Sequence, residues 1–484
     1  MSAAATTPEK PAARVLTAPV PVGEVFQVAA EYERAGKLAD AERLLRHVLE
    51  VHPTQADALH LMGIVVFRQG RRKEALEHME GALRHGVDTP LYLRNICELY
   101  RTLWRHDEAL AAAKRAVALA PSDPLCLHNL AIIHSERAEY DEALACAEAA
   151  LAIDPRQPGA HFVRAEVLLA RGEMEVGWEE YEWRFQIGGA APLIPPQVLR
   201  KDRPQWQGER LDGKTLLLIG DQGFGDVIQF SRYIPWAREH SGAGAITIGC
   251  GKEVGQLIRQ LAPRATIFQK WDDCPPYAAY AALSGLPRLA KTRVETIPAP
   301  IPYLHPDPAK VASWGERLGS LIPKGFKRVG LVWAGRPAHN NDRNRSTSIA
   351  TYKPLFDLPG VAFVALQKGP ATPQAGGFFA RAPLVNLGAE IGDYADTMAI
   401  MENLDLIVSV DTSVVHLAGA LGRPVWVMVP RAPDWRWLLE RPDTPWYPSM
   451  RLFRQTKPNS WDDVVKRIRE ALPEYLGSGA PSRE

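Results

Sequence analysis

The chain has 484 residues, enough for about three domains. Its 57 basic and 56 acidic side chains nearly cancel, to a formal charge of +1, which argues against a protein that holds nucleic acid mainly by neutralising phosphates. With 46% hydrophobic and 23% charged residues, the composition is globular rather than disordered. No run of about 18 apolar residues is present, so no membrane-spanning helix is expected. The N-terminal segment lacks a basic stretch followed by an apolar one, so no secretory signal is expected either. Five scattered cysteines (Cys97, Cys126, Cys146, Cys250 and Cys274) form no metal-like spacing. They fit small buried side chains in a reducing, cytoplasmic setting.

Residues 1–21 are Pro-rich and read as a tail. A repeat comes next. Ala41, Ala75, Ala109 and Ala143 open four similar segments, each 34 residues after the last. Val48, Ala82, Ala116 and Ala150 repeat the interval, and Pro53, Val87, Pro121 and Pro155 close the units. A 34-residue period with small residues at these places resembles the tetratricopeptide repeat, a pair of helices that must stack on neighbours to bury its apolar face. Four units span 22–157. A degenerate fifth fills 158–186, where GWEEYEWRF offers an aromatic docking face to the next domain. The concave face of such a solenoid (22–186) is the natural surface for a polypeptide partner.

Beyond a Pro-rich linker (187–212) the periodicity changes. Short apolar runs alternate with helical patterns: TLLLIG (215–220), AITIGC (245–250) and ATIFQ, then RVGLVWAG (328–335), VAFVALQ (361–367), LVNLG (384–388), LDLIVSV (404–410) and PVWVMVP (424–430). Continuous apolar runs between helices are the pattern of buried parallel strands. Two α/β domains are expected, at 213–308 and 326–457, followed by a closing helix (458–475) and a short tail (476–484). A ligand cleft is expected between the two.

Four segments carry chemistry. In GDQGFGD (220–226) the glycines run GxxGxG, not the dinucleotide order GxGxxG, and no acidic residue ends the second strand, so a nicotinamide site is poorly supported. Asp226 opens a helix, either as a cap or as a carboxylate able to take a proton from a hydroxyl. In SVDTSVVHLAGALG (409–422) a strand runs straight into a helix. The free N–H groups at 412–414 form an anion site, with hydroxyls from Thr412 and Ser413. Asp411 is suited to ribose or sugar hydroxyls, and His416 stands one turn on as ligand or core residue. The loop WAGRPAHNNDRNRSTS (333–348) holds Arg336, Arg343 and Arg345, suited to phosphate. Gln367 and Lys368 leave the next strand on the same edge, where Lys368 could offset diphosphate charge. In PDWRWLLERPDTPWYPSMRLFRQ (433–455), Trp435, Trp437, Trp446 and Tyr447 either stack on a ligand ring or pack a covering loop. No DxD, HExxH, Cys/His cluster or GxSxG occurs.

Three blocks in this order, GDQGFGDVIQFSRYIP, VWAGRPAHNNDRNRS, and SVDTSVVHLAGALGRPVWVMVP with DWRW and WYPSMRLFRQ, resemble bacterial tetratricopeptide-repeat glycosyltransferases. The likeness covers about 205–475, and this part is similar to the heptosyltransferase-like group with the GT-B fold. Some members are linked to flagellin modification, and the plan resembles O-GlcNAc transferase at the level of architecture. The resemblance implies an α-solenoid followed by a GT-B-like pair of doubly wound α/β domains. It implies inverting sugar transfer from a nucleotide-sugar to a hydroxyl, with no metal and no other cofactor. Asp226 matches the catalytic base, with Asp221, Gln222, Gly223 and Gly225 on the acceptor side. Arg345 and Ser346 match the loop near the donor phosphates, and Asp411, Thr412, Ser413 and His416 the donor block; Gln367 and Lys368 join them. The implied partner is a protein Ser or Thr, flagellin being one instance. A glycan or lipopolysaccharide acceptor and an inactive repeat scaffold are the rival readings. Two departures stand out: Asp221 replaces the usual Glu, and ALSGLP (282–287) replaces a direct SLP.

Overall fold

The structure, a computed structural model, describes residues 22–188, 193–199, 202–298, 300–376 and 383–477. The tail expected at 1–21, most of the one at 476–484 and parts of the linker lie outside these residues. The chain divides into two compact units, one running to His134 with 152–155, the other comprising 135–151 and 156–484.

The first unit is helical. Its helices are α1 (Val22–Arg34), α2 (Leu38–Val51), α3 (Ala56–Arg68), α4 (Arg72–His85), α5 (Pro90–Thr102), α6 (His106–Leu119) and α7 (Pro124–Glu136). The second helix of each pair ends at Val51, His85 and Leu119, keeping the 34-residue interval. Ala41, Ala75 and Ala109 are completely buried, as are Ala82 and, nearly so, Val48 and Ala116. Small side chains at these places let paired helices approach closely, which is why the spacing shows in the sequence. Thr89 caps α5 by accepting from the Tyr92 N–H at 3.1 Å, with Pro90 in the first turn.

Two histidines in this unit are held neutral. Burial pulls His60 down to about 4 against the opposing charge of Asp57, and burial does the same to His128. His60 stacks on Tyr92 with centroids 4.2 Å apart and meets Asn95 Nδ2 at 3.0 Å. The unfolded chain, with a histidine pKa near 6.5, binds more protons than the folded one between about 6.5 and 4. This stabilisation is complete above 6.5 and is lost as pH falls through that window, at up to about 1.4 kcal/mol per histidine per pH unit. Amide protection in α3, α5 and α7, corrected for intrinsic exchange, is expected to drop from pH 7 to pH 5. The His60→Gln/His128→Gln variant should drop much less; an equal drop would contradict the assignment.

The second unit begins with the last repeat helices, α8 (Tyr140–Ile153), α9 (Pro158–Arg171) and α10 (Met174–Tyr181), and a 3-10 turn Glu182–Gln186. The division of the chain therefore falls within the repeats and not at the Pro-rich linker. The cause is aromatic: Trp178 is buried edge-on against Trp435, Phe230 and Trp446, and its indole donates to the Thr292 carbonyl at 3.1 Å. The GWEEYEWRF segment thus packs into the α/β core.

The first sheet contains β1 (Thr215–Ile219), β2 (Ala245–Gly249), β3 (Thr266–Phe268) and β4 (Ala279–Ala282), all parallel in the order β3-β2-β1-β4. Its helices are α11 (Phe224–Phe230), α12 (Ile234–Ser241), α13 (Lys252–Leu261) and the single turn α14 (Leu286–Leu289). After α15 (Pro308–Leu321) comes the second sheet, also parallel: β5 (Lys327–Val332), β6 (Val361–Ala365), β7 (Leu384–Asn386), β8 (Leu406–Val410), β9 (Val425–Val429) and β10 (Met450–Arg454), in the order β10-β9-β8-β5-β6-β7. Interleaved are the short turn α16 (Asp342–Arg345), α17 (Tyr394–Glu402) and α18 (Ser413–Ala420), with α19 (Asp462–Gly477) closing the chain. Gly422 ends α18 at φ +67°, with Arg423 N–H donating to the Ala418 carbonyl at 2.9 Å and Gly422 N–H to Gly419 at 3.0 Å, the bonding of a Schellman cap.

Two strands go beyond the sequence reading. β4 lies in YAAYAA, whose alanines have little strand preference. It forms because β1 offers an open edge, and the supposed linker extends it: Trp206 N–H donates to the Tyr280 carbonyl at 2.7 Å and Tyr280 N–H to Pro204 at 3.1 Å. β10 lies in the segment read as an aromatic loop, and pairs with β9 at the sheet edge.

Candidate functional site

Sheet order picks out where a ligand belongs. In the first sheet β1 lies between β2 and β4; in the second, β5 lies between β8 and β6. Connections leaving the carboxyl ends of such neighbours turn opposite ways and open a crevice, the usual ligand position in parallel α/β sheets. The 220–223 turn follows β1. The 333–346 loop follows β5, Gln367 and Lys368 follow β6, and Asp411 follows β8. Asp226 and the acceptor-side and donor residues expected from the sequence are therefore at these carboxyl ends or in the loop or helix that follows, whereas Trp435, Trp437, Trp446 and Tyr447 lie between β9 and β10.

In the first half, Gly223 is the N-cap of α11 and Asp226 its third residue. Gly223 N–H donates to Asp226 Oδ2 at 2.9 Å, so Asp226 does act as a cap. Its Oδ1 meanwhile accepts from Arg436 Nη2. The Asp226 side chain is 24% exposed. Gly225 is placed by a close approach: a Cβ there would sit 2.8 Å from His416 Cδ2 and 3.4 Å from Ser413 Cα. Helix α11 thus packs directly on α18, bringing the two halves together at the two proposed subsites. Gln222 Nε2 donates to the Tyr181 hydroxyl at 3.0 Å.

Asp221 differs from expectation. It is buried, accepts from Ser284 N–H at 3.2 Å and from the Ser284 hydroxyl, and lies 3.8 Å from Arg184 Nη2. Burial pushes its carboxyl above the usual range, against the pull of Arg184 and the Ser284 bonds. It is an internal clamp between β1, the 283–285 turn and the end of the repeats, and does not face an acceptor. Asp221 and the ALSGLP segment touch each other here, since Ser284 lies within ALSGLP.

In the second half, Thr412 caps α18, accepting from Val414 N–H at 3.4 Å, and the Ser413 hydroxyl accepts from Tyr394 at 2.7 Å. Ser346 holds its own loop, accepting from Gly335 N–H and donating to Asp342, each at 2.8 Å. Gln367 is a strut. Its carbonyl accepts from Trp333 and Ala334 N–H at 3.0 and 2.9 Å, and its amide donates to the Ala334 and Lys368 carbonyls at 2.9 and 2.8 Å. All its hydrogen-bonding positions go to backbone, so it shapes the 333–335 turn and has none left for a ligand. The Lys368 ammonium donates to the Gly388 and Ile391 carbonyls, pinning the loop after β7.

The electrostatics centre on buried charges. Burial pushes Asp411 up; Arg345 pulls against it and Asp434 adds to it. The Trp437 indole N–H faces Asp411 and also lowers it, without reaching full hydrogen-bond geometry. His416 is pulled down to about 3, first by burial and then by the charge of Arg436, so it is a neutral imidazole; Nδ1 meets the Tyr447 hydroxyl at 3.1 Å and the ring stacks on Trp437. Trp435, Trp437, Trp446 and Tyr447 are all buried, so they pack the covering loop and present no stacking platform. Among the described residues, buried donors without a full hydrogen bond include Arg345 Nε, Trp437 Nε1 and Gln229 Nε2, and also Trp333 Nε1 and Trp446 Nε1 in the same segments. Among the described residues no group of three His, Cys, Asp or Glu is arranged to hold a metal ion.

The residues that sequence reading missed are Arg436, Asp434 and Gln229. Arg436 Nη1 donates to Asp434 Oδ1 and Oδ2 at 2.9 and 3.1 Å, and Nε to Gln229 Oε1 at 2.6 Å. A second arginine, Arg232, is buried with no ion pair among the described residues; it donates to the Trp446 carbonyl at 2.9 Å and lies 4.6 Å from the Tyr447 ring centre. The available signal was D-x-R at 434–436: an Asp that caps the turn, accepting from Arg436 N–H at 3.0 Å, also holds that Arg side chain.

Among known proteins, a tetratricopeptide-repeat family model matches residues 33–94 and another 128–180. Protein FlbA of Caulobacter vibrioides is 29% identical over 347 residues, 66% of this chain and 55% of that protein, so the chain spans about half the length of this curated relative. The repeats are similar to solved structures of YrrB, a TPR protein with an unusual peptide-binding site (22% identity, 34% of this chain and 84% of that one, TM-score 0.30), and of Pseudomonas aeruginosa pilF (23%, 35% and 78%, 0.32). The repeat-family matches and the two parallel sheets together make the chain a repeat protein with a parallel α/β part. Among the described residues no helix is long and apolar enough to cross a membrane.

Proposed function

We propose that the chain is a metal-independent, inverting glycosyltransferase of GT-B type that moves a sugar from a nucleotide-sugar onto a hydroxyl of a protein. The observation that carries this is the asymmetry of the crevice. On one wall stands the Asp226 carboxylate, its side chain 24% exposed; on the other, beside Asp411 and Asp434, stand the α18 N-terminus, the Arg345 guanidinium, whose Nε is 3.9 Å from Asp342, and the Arg345 Nε and Trp437 Nε1 donors, neither in a full hydrogen bond. Donors without acceptors suit an oxygen-rich, anionic ligand such as a diphosphate. A carboxylate across from them suits the removal of a hydroxyl proton.

In this reading the acceptor oxygen attacks the anomeric carbon and its proton passes to Asp226. The bond from that carbon to the phosphate oxygen breaks on the opposite side, and the electron pair leaves with the nucleotide, a nucleoside diphosphate or, from a CMP-sugar, CMP. Arg345 and the N–H groups at the start of α18 stabilise the charge developing there, the contribution that dominates many such reactions. Asp411 takes ribose or sugar hydroxyls. Fixed cations and N–H dipoles are assigned this work, so the reading calls for no metal. Repeat solenoids present extended surfaces for polypeptides, which favours a protein Ser or Thr as acceptor. Flagellin as that protein rests on the sequence resemblance.

The test is incubation with UDP-, GDP-, ADP- and CMP-sugars and flagellin, read by intact mass. The expected result is a mass increment of one or more sugars on Ser or Thr. Labelling of glycan acceptors only would move the reading to polysaccharide synthesis. No turnover of any donor would favour an inactive scaffold.

A further inference from the structure

Arg436 is the most heavily engaged side chain of the site. It sits in the turn Trp435–Trp437 and is 6% exposed. Each of its three nitrogens is held by protein: Nη1 by both oxygens of Asp434, Nε by Gln229 Oε1, and Nη2 by Asp226 Oδ1. Its planar face lies 4.1 Å from the Trp435 ring centre. Asp434 is itself fixed by the backbone N–H of Arg436. Gln229 and Asp226 belong to α11 of the first half; Asp434 and Arg436 belong to the second.

The Asp226 carboxylate is consequently held from two directions. Oδ2 is fixed within its own helix by Gly223 N–H at 2.9 Å, whereas Oδ1 is fixed only across the crevice. Separating the halves would remove the second contact and leave the first. We infer that Arg436 is a positioning residue for Asp226, one that makes the orientation of the base depend on the two α/β halves being brought together. This rests on the transferase reading. The guanidinium suits the task because its planar fork fixes direction as well as charge, which a lysine ammonium cannot do. Burial disfavours the charged guanidinium, but Asp434 and Asp226 outweigh that and keep it protonated.

A residue that works through Asp226 affects turnover more than donor binding, and has little effect once Asp226 is gone. The experiment uses the full chain and the nucleotide-sugar that gives turnover, with its nucleoside diphosphate as the binding probe. Arg436→Lys keeps the charge and loses the fork. It is expected to lower kcat by about 10–100-fold while donor KM and the nucleotide-induced melting shift stay within about 2-fold. Asp434→Asn, which keeps the guanidinium, should give the same pattern more weakly. In an Asp226→Asn background, Arg436→Lys should cost less than about 3-fold more. Three results would overturn the inference: unchanged kcat in a folded Arg436→Lys, a loss confined to donor KM, or full additivity with Asp226→Asn. Wild-type chain with neither nucleotide-dependent melting shift nor turnover would instead overturn the transferase reading, and this inference with it.

Discussion

Asp226→Asn is expected to reduce turnover by about 10²–10⁴-fold, the span over which a positioned general base contributes. Asn retains an oxygen for Gly223 N–H, so the cap that opens α11 survives. It removes the carboxylate to which the proposal assigns the acceptor proton. Donor KM and nucleotide binding should stay near wild type, since the proposed donor contacts lie on α18 and the 333–346 loop. Steady-state kinetics with a melting control decides it. Full turnover in a folded Asp226→Asn chain would leave Asp226 as a cap and no more.

Trp178→Ala is expected to destabilise the second unit by about 3–5 kcal/mol, the range for truncating a buried large aromatic side chain. Trp178 is 1% exposed and packs edge-on at 5.2 Å from Trp435, 6.4 Å from Phe230 and 6.4 Å from Trp446. It also satisfies the Thr292 carbonyl. Its removal leaves a cavity and an unpaired acceptor in one place. Of the 13 tryptophans only Trp104 lies in the first unit, so tryptophan fluorescence in urea follows the second unit. A midpoint within error of wild type would show that the last repeat helices rest on the α/β part without stabilising it. Because Trp435 adjoins Arg436, turnover should fall as well, beyond the loss of folded protein.

What could be read in the sequence was what local chemistry dictates. Ala41, Ala75 and Ala109 stand where only a small side chain fits between paired helices, so their interval carries the solenoid. The stretches 216–219, 406–408 and 425–429 are buried within parallel sheets, and so are apolar at every position. Asp411, Thr412 and Ser413 follow from a strand running directly into a helix. What could not be read depends on distant chain. β4 is a strand because β1 has an edge to fill, and alanine and tyrosine do not announce that. Gln367 looks like a polar group leaving a strand toward a ligand; only the turn at 333–335 shows its amide to be consumed. Asp221 looks like an exposed acid in a Gly-rich turn, until Ser284 and Arg184 close over it. Arg436 meets Asp226 across 210 positions of sequence, a pairing that no local spacing encodes.

The same limits explain the four aromatic residues at 435–447. Their density fits both a stacking platform and a packed cover. The choice was made by Trp178 and Phe230, which surround Trp435 and Trp446, and by the buried Arg232 guanidinium beneath Tyr447.

Whether the crevice is a nucleotide-sugar site is decided by melting the full chain with UDP, GDP, ADP and CMP at millimolar concentration. A ligand bound only by the folded state adds RT ln(1 + [L]/Kd), about 2.7 kcal/mol at a hundred times Kd. A nucleotide-sugar site should give a clear rise in melting temperature with one or two of the four, and lose that rise in Asp411→Ala, each chain being compared with its own ligand-free melt. No rise with any nucleotide, or an equal rise in folded Asp411→Ala, would contradict it.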